Sequence, residues 1–276
     1  MSTQSILPGD CIECLKSLED KSVDVVVTSP PYNLKIKYSK YKDNLSRQDY
    51  LTWLNTVFKS IDRVLKDDGS FFLNVGNSCI DPWIAHDAVG QARDIFKLQN
   101  NIYWIKSVGV DINLKISLGL SDMIDVPTER QTYGHFKPIN SPRFLSNNTE
   151  MIYHLTKSGY VKIDKLAIGV PFADKSNIKR FTSNKQDKRC NGNNWHITYK
   201  TVNSKEEKCN HPATFPIELP KRCIQMHGIT DNMLVVDPFS GIGTTMIACK
   251  ELGVTGIGIE LDENYVKVSK ELLNGS

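Results

Sequence analysis

The stretch from Met233 to Glu260 constrains the fold more than any other part of the chain. Met233-Leu234-Val235-Val236-Asp237 is a short apolar run of strand composition, and Pro238-Phe239-Ser240-Gly241-Ile242-Gly243-Thr244-Thr245 follows it as a glycine-rich turn. Helical residues run from about Thr245 to Leu252, and Thr255-Gly256-Ile257-Gly258-Ile259-Glu260 returns as a second strand ending in an acid. A strand, a crossover helix and a second strand join as parallel neighbours, so the chain has to build an α/β sheet. Gly241 and Gly243 let the backbone approach a ligand closely, and Glu260, about twenty residues beyond the turn, can accept both hydroxyls of a ribose. The unit therefore predicts a nucleoside-cofactor site without choosing the cofactor. Met246 replaces the third glycine of a dinucleotide fingerprint, and the Gly-Lys-Thr of a P-loop is absent. On these residues alone, S-adenosyl-L-methionine, a dinucleotide and simple packing glycines all stay open.

The first half of the chain also alternates apolar runs with mixed segments. Val23-Asp24-Val25-Val26-Val27 predicts a buried strand stopped by Ser29-Pro30-Pro31, because two prolines neither donate ladder hydrogen bonds nor continue a strand. Leu51, Leu54, Phe58, Ile61 and Leu65 lie at helical spacing from Tyr50 on, Asp67-Asp68-Gly69 is expected to end that helix, and Ser70 to Val75 resumes as a strand. Asn101–Ile105 and Thr149–Leu155 read as further strands, Glu263–Leu273 as a closing helix, and residues 107–145 stay unassigned. The four tryptophans, Trp53, Trp83, Trp104 and Trp195, are expected in the core.

Thr28-Ser29-Pro30-Pro31-Tyr32 carries the most chemistry. The exocyclic amine of a nucleobase is a poor nucleophile, since its lone pair is delocalised into the ring, and acceptors aimed at its protons draw it toward tetrahedral geometry. A Pro-Pro corner after a buried strand turns a carbonyl, that of Pro30, toward the same point as the Ser29 hydroxyl. Tyr32 adds an aromatic face for a base extruded from the duplex. Standing alone, the same string reads as an ordinary loop or a polyproline ligand.

At 276 residues and 40% hydrophobic content the chain supports one core with a small insertion. It shows no run of about 18 apolar residues and no signal-peptide pattern at its start, which points to a cytoplasmic protein and away from membranes. The seven cysteines are odd in number and scattered, which does not fit a disulfide framework. Cys11 and Cys14 form one CxxC with no second pair at zinc spacing, so no metal is expected. The net charge of +3 is uninformative as a sum, but residues 157–208 hold 12 Lys/Arg against 5 Asp/Glu, a local +7 that leaves −4 for the rest. A solvated loop and a phosphate-binding segment both explain this. The same two readings apply to Lys35, Lys37, Tyr38, Lys40 and Tyr41, where basic and aromatic residues alternate directly after the Pro-Pro corner.

Taken together, these motifs resemble the beta group of DNA amino-methyltransferases, and the resemblance spans nearly the whole chain. Thr28 to Tyr32 is similar to the group's catalytic motif, Asp237 to Gly243 to its cofactor loop, and His211-Pro212-Ala213-Thr214-Phe215-Pro216 to the segment before that loop. Their order is the permuted order of the group. The resemblance implies a Rossmann-like, seven-stranded class I methyltransferase sheet flanked by helices, in which 1–156 forms the catalytic half, 157–208 a target-recognition region and 209–276 the cofactor half. It implies S-adenosyl-L-methionine as cofactor, held by Asp10, Cys11, Thr28, Pro212, Ala213, Phe215, Asp237, Pro238, Phe239, Ser240, Gly241, Gly243, Thr244, Glu260 and Leu261, with Asp10 accepting from the adenine amine. A helix-start aspartate is the plain alternative for Asp10. Ser29, Pro30, Pro31 and Tyr32 are the catalytic candidates; Lys35, Lys37, Tyr38, Lys40, Lys179, Arg180, Lys188 and Arg189 are the candidates for contact with double-stranded DNA, with Asn191, Asn193 and Asn194 beside them. His211 is expected to be structural or cofactor-adjacent. A serine at position 29 is typical of cytosine-N4 enzymes in this group, and aspartate or asparagine of adenine-N6 enzymes. Cytosine N4 is thus favoured over adenine N6. A cognate restriction endonuclease is a common partner in the group, and the chain is expected to act as a monomer or homodimer. A nicotinamide-dependent oxidoreductase would account for the glycine turn but not for Ser29 to Tyr32. A non-catalytic DNA-binding protein on the same fold would account for the basic segment but not for the intact catalytic string.

Overall fold

A computed structural model describes residues 2–36, 40–41, 43–76, 78–79, 81–110, 131–134, 139–181, 186–198 and 214–275, with the backbone alone at 109–110, 131–133 and 181. Lys37, Tyr38, His211, Pro212 and Ala213 lie outside the described residues.

The strands are β1 (Gln4–Pro8), β2 (Val23–Thr28), β3 (Leu65–Val75), β4 (Lys97–Ile105), β5 (Ser107–Val110), β6 (Gln131–Gly134), β7 (Thr149–Thr156), β8 (Asn194–His196), β9 (Leu234–Asp237) and β10 (Thr255–Glu260). The helices are α1 (Cys11–Lys16), α2 (Arg47–Val64), α3 (Ile84–Gly90), α4 (Asn177–Phe181), α5 (Glu218–His227), α6 (Thr244–Leu252) and α7 (Glu263–Gly275). Eight strands form one mixed sheet in the order β1-β10-β9-β2-β3-β7-β4-β8, and β5 and β6 pair separately as a small antiparallel ribbon. From β1 to β3 all neighbours are parallel; β7 runs antiparallel to both β3 and β4. The α/β expectation holds, with one strand more than the seven expected. The extra strand is β8, which pairs with β4 in parallel.

Helices cover both faces of the sheet, as strands buried on both sides require. Leu15 of α1, Tyr50, Leu54, Phe58 and Ile61 of α2, and Ala85 and Ala88 of α3 pack with Val26, Phe71 and Leu73 on one face. Leu219 and Cys223 of α5, Met246 and Cys249 of α6 and Val266 of α7 pack with Val25, Val27, Phe72 and Val235 on the other. The alternation of Val25, Val26 and Val27 between the two faces is the period of two that a strand imposes. All six residues of β2 are buried, and its one charge, Asp24, binds Lys66 Nζ at 2.6 Å and the Leu234 N–H at 2.8 Å.

Two local expectations are corrected. Asp67-Asp68-Gly69 does not end a helix: α2 passes into β3 at Leu65, and these residues occupy the register shift between β2 and β3. Trp83 is not a core residue but 68% exposed, whereas Trp104 and Trp195 are fully buried. Within the segment 157–208, Trp195 and Ile197 belong to the core, and the Trp104 Nε1–H donates to the Ile197 carbonyl at 2.8 Å.

Candidate active site

The chain leaves β9 toward β10 on one side and leaves β2 toward β3 on the other, so the sheet has its topological switch point between β9 and β2. In open α/β sheets, ligands settle at the carboxyl ends of the strands flanking such a point. Those ends carry Thr28 to Tyr32 after β2 and Asp237 to Gly243 after β9, with Glu260 at the tip of β10 and Gly9 and Asp10 beyond β1. The predicted catalytic corner, the glycine turn, Glu260 and Asp10 are thereby brought to one edge of the sheet.

The two loops are tied to one another by Asp237. Its Oδ1 accepts the Thr28 hydroxyl at 2.6 Å and the Phe239 N–H at 3.1 Å, while its Oδ2 accepts the Thr245 hydroxyl at 2.6 Å. Thr28 and Asp237 are each 1% exposed, so their side chains join the loops from inside the protein. Burial pushes the Asp237 carboxyl up to about 6, and the two threonine hydroxyls pull it back only in part. A raised carboxyl pKa in the folded state means that the folded protein holds a proton which the unfolded chain gives up near pH 4, so stability falls as pH rises from there to about 6. Asp237→Asn removes this titration. The stability of the variant relative to the parent, read from the shift in melting temperature, is expected to rise between pH 4 and pH 6.5 and then level off, by an amount on the order of 3 kcal/mol at most. A difference independent of pH in thermal melts would show that Asp237 is already ionised throughout.

Glu260 shapes the glycine turn. Its Oε2 accepts the Gly241 N–H and its Oε1 the Asp262 N–H, each at 2.8 Å, and burial raises its pKa. Each carboxylate oxygen carries a second lone pair, so the pair suits a vicinal diol. Gly241 and Gly243 both have positive φ, 54° and 85°, and a Cβ on Gly243 would stand 2.9 Å from the Ser269 Cβ. The turn thus needs glycine for conformation at both positions and for space at the second. Pro238 and Ser240 are buried, and the Ser240 hydroxyl packs against Gly258. Phe239 meets Trp53 edge-on at 5.5 Å between centroids, Phe215 packs on the core, Thr244 opens α6 and Leu261 is 43% exposed. Asp10 caps α1, its Oδ1 accepting the N–H groups of Ile12 at 2.9 Å and Glu13 at 3.2 Å, and the side chain is exposed. Cys11 is buried, and burial together with the Asp10 charge pushes its thiol up to about 12. These residues fit a nucleoside-bearing cofactor.

The corner after β2 is closely braced. Ser29 Oγ and the Tyr32 hydroxyl lie 2.5 Å apart, and the Tyr32 hydroxyl donates to the Asn74 carbonyl at 3.3 Å. The Pro31 carbonyl accepts the Tyr50 hydroxyl at 2.8 Å. The Tyr32 ring lies over Gly76, where a Cβ would stand 2.9 Å from Tyr32 Cε2. Beyond Tyr32 the chain is pinned: buried Asp43 accepts the N–H groups of Asn33, Leu34 and Ile36 at 2.8, 3.0 and 3.0 Å, and the Asn33 side chain bonds Leu45 in both directions. Lys35 and Lys40 are exposed on this segment.

Sequence reasoning missed three residues here. Asn74 Nδ2 approaches the Tyr32 hydroxyl at 3.2 Å, Ser29 Oγ at 3.4 Å and Glu150 Oε2 at 2.8 Å, and Glu150 Oε1 is held by Lys106 Nζ at 2.9 Å. The one available signal was an asparagine inside the apolar run Phe71-Phe72-Leu73-Asn74-Val75.

On the candidate DNA side, Lys179, Arg180, Lys188 and Arg189 are exposed, with Lys179 and Arg180 on α4 and the Arg189 backbone bridged to Val170. Asn193 is engaged structurally, its Nδ2 donating to the Asn101 carbonyl at 2.9 Å. No helix of the described residues is long and apolar enough to cross a membrane.

Comparison with known proteins agrees with this arrangement. A family model for N6/N4 DNA methylases matches residues 23–271. The type II methyltransferase M.BglII of Bacillus subtilis is 29% identical over 279 residues, covering 98% of this chain and 69% of that one, and M.SmaI of Serratia marcescens is 29% identical over 281 residues, covering 96% and 89%. Among solved structures, the PvuII DNA methyltransferase (cytosine-N4-specific) superposes with a TM-score of 0.67 at 22% identity, covering 98% of this chain and 86% of that one. A DNA modification methylase of Thermus thermophilus, complexed with S-adenosyl-L-methionine and described as such only putatively, gives 0.61 at 22% identity, covering 99% and 95%. With the family model spanning both halves of the site, the chain belongs to the N6/N4 DNA methylase family.

Proposed function

We propose that this DNA methylase transfers a methyl group from S-adenosyl-L-methionine to the N4 amine of cytosine in duplex DNA. The observation that carries this reading is the set of hydrogen-bonding groups around Ser29, from Tyr32 and Asn74. With the Tyr32 hydroxyl donating to the Asn74 carbonyl at 3.3 Å, its oxygen accepts the Ser29 proton; the 2.5 Å contact admits either hydroxyl as donor, and this reading assigns it to Ser29. Ser29 then presents lone pairs to an incoming group, the polarity an amine requires. Tyr50 occupies the Pro31 carbonyl, which supports the Pro30 carbonyl as the second acceptor. The cofactor supplies a methyl group made electrophilic by its sulfonium. The amine lone pair forms the new N–C bond as the S–C bond breaks, and the surplus proton leaves to water, since a serine hydroxyl is too weak a base to keep it. No covalent enzyme intermediate is needed.

Cofactor binding falls to Glu260 on the ribose, the turn from Asp237 to Gly243 beside the methionine end, and Asp10 on the adenine through the oxygen not used in capping. The cytosine choice rests on Ser29 and on the likeness to the PvuII enzyme. Nucleoside mass spectrometry of DNA from cells expressing the protein tests it: N4-methylcytosine is expected, and N6-methyladenine without N4-methylcytosine would overturn the choice.

The exposed middle of 157–208 serves as the target-recognition region, and a restriction endonuclease acting on the same site is the expected companion. Lys179→Ala with Arg180→Ala is expected to weaken DNA binding and to make the slope of log affinity against log salt shallower by about 2, each phosphate contact contributing about 0.9. Affinity for S-adenosyl-L-methionine should stay the same. An unchanged salt slope in fluorescence anisotropy titrations would mark the segment as a solvated loop.

A further inference from the structure

Glu150 is the second residue of β7, the strand that runs antiparallel into the sheet, so its side chain emerges at the same edge as the carboxyl end of β3. There it contacts Asn74, 76 positions earlier in the chain. Lys106, just past the end of β4, closes the group from the other side, and the Lys106 and Glu150 side chains are each only 14% exposed.

We infer that Glu150, held by Lys106, is a positioning residue that sets the hydrogen-bond polarity of the catalytic corner through the side-chain amide of Asn74. The inference rests on the proposed amine methylation. A carboxylate only accepts and an ammonium only donates, so the order Lys106, Glu150, Asn74 has a fixed direction. One proton of the Asn74 amide goes to Glu150 Oε2, and the other faces the oxygens of Tyr32 and Ser29 at 3.2 and 3.4 Å. Turning the amide over would set its carbonyl oxygen against the carboxylate. The orientation that results leaves Asn74 Oδ1 buried without a hydrogen-bond partner among the described residues, in a side chain that is 2% exposed. An amide free to choose would satisfy that oxygen, so the carboxylate decides its direction. The same asparagine offers a fixed donor from its side chain and a fixed acceptor from its backbone. Between them the Tyr32 hydroxyl, 3.3 Å from the carbonyl and 3.2 Å from the amide nitrogen, is set to donate to the first and accept from the second, which leaves Ser29 as the acceptor for the substrate amine.

Gly76 is part of this arrangement. A Cβ at that position would meet Tyr32 Cε2 at 2.9 Å and Glu150 Cδ at 3.3 Å, so Tyr32 and Glu150 are packed against the same point of the backbone.

The test compares steady-state methylation by the parent, Glu150→Gln, and Asn74→Asp combined with Glu150→Gln. Glu150→Gln keeps the shape but lets both amides turn; kcat is expected to fall at least tenfold, with KM for DNA and for S-adenosyl-L-methionine within threefold of the parent. The double variant reverses the bond, glutamine donating to aspartate. It is expected to recover the melting temperature while kcat stays low, because no donor then faces Ser29 and Tyr32. Recovery of kcat along with melting would make the pair a structural link and overturn the inference, as would an unchanged kcat in Glu150→Gln or loss of folding in both variants. A parent protein that methylates no amine would instead overturn the reading on which the inference rests.

Discussion

Ser29→Ala is expected to slow methyl transfer by about a hundredfold or more, the range seen when one preorganised hydrogen-bonding group is removed from a water-poor site. The Ser29 hydroxyl engages Tyr32 and Asn74, and both keep other partners when it is lost: Tyr32 retains the Asn74 carbonyl and Asn74 retains Glu150. The corner should therefore hold its shape. Melting temperature and cofactor affinity should match the parent, and the loss should fall on kcat, because an acceptor for the amine matters most when the nitrogen becomes tetrahedral. Single-turnover assays with a duplex substrate measure this directly. A variant that methylates at the parent rate would remove Ser29 from the chemistry and leave the Pro30 carbonyl alone.

The second large effect is expected at Glu260. Glu260→Gln replaces one carboxylate oxygen by an amide donor, which then faces the N–H of either Gly241 or Asp262. Two donors in contact repel, so the glycine turn shifts, and one acceptor for the ribose diol disappears at the same time. Hydrogen bonds to a charged group contribute about 1.5–3 kcal/mol each, so cofactor affinity is expected to fall by about a hundredfold. DNA affinity should not change, since Glu260 lies at the tip of β10, across the switch point from the corner after β2. Calorimetry with S-adenosyl-L-methionine checks it; an affinity within threefold of the parent would place the ribose elsewhere.

These two residues were legible in the sequence for a common reason. Ser29 directly follows a strand carrying Val25, Val26 and Val27, Glu260 closes one carrying Ile257 and Ile259, and each has backbone punctuation beside it, prolines in one case and glycines in the other. Local rules therefore located both. Asn74, Glu150 and Lys106 could not be found in that way, because they meet only once β7 has turned antiparallel between β3 and β4 and brought residues 44 and 76 positions apart into contact. Strand direction within a mixed sheet leaves little trace in residue composition.

The same limit explains β8. Asn194-Trp195-His196 is too short for a period of two to show, and the surrounding lysines and asparagines suggested surface. One buried tryptophan anchors it. The helix boundary near Asp67 was misplaced because Asp-Asp-Gly is turn chemistry in most settings, whereas here β3 begins before it and absorbs it as an irregularity against β2. The segment from Asn33 to Leu45 shows the opposite case: its lysines and tyrosines alternate visibly in the sequence, while nothing there marks Asp43, which fixes the base of the segment through three backbone N–H groups.

The central claim is that the corner at Ser29 and the turn at Gly241 meet at one switch point to methylate an exocyclic amine directly. The most direct measurement is to incubate the purified protein with trideuteromethyl S-adenosyl-L-methionine and duplex DNA, then analyse both the nucleosides and the intact protein by mass spectrometry. The account predicts the label on the exocyclic nitrogen of cytosine, protein of unchanged mass, and an initial rate of labelling about a hundredfold lower with Ser29→Ala under the same conditions. Label on a ring carbon, or a methylated or DNA-linked protein, would contradict it.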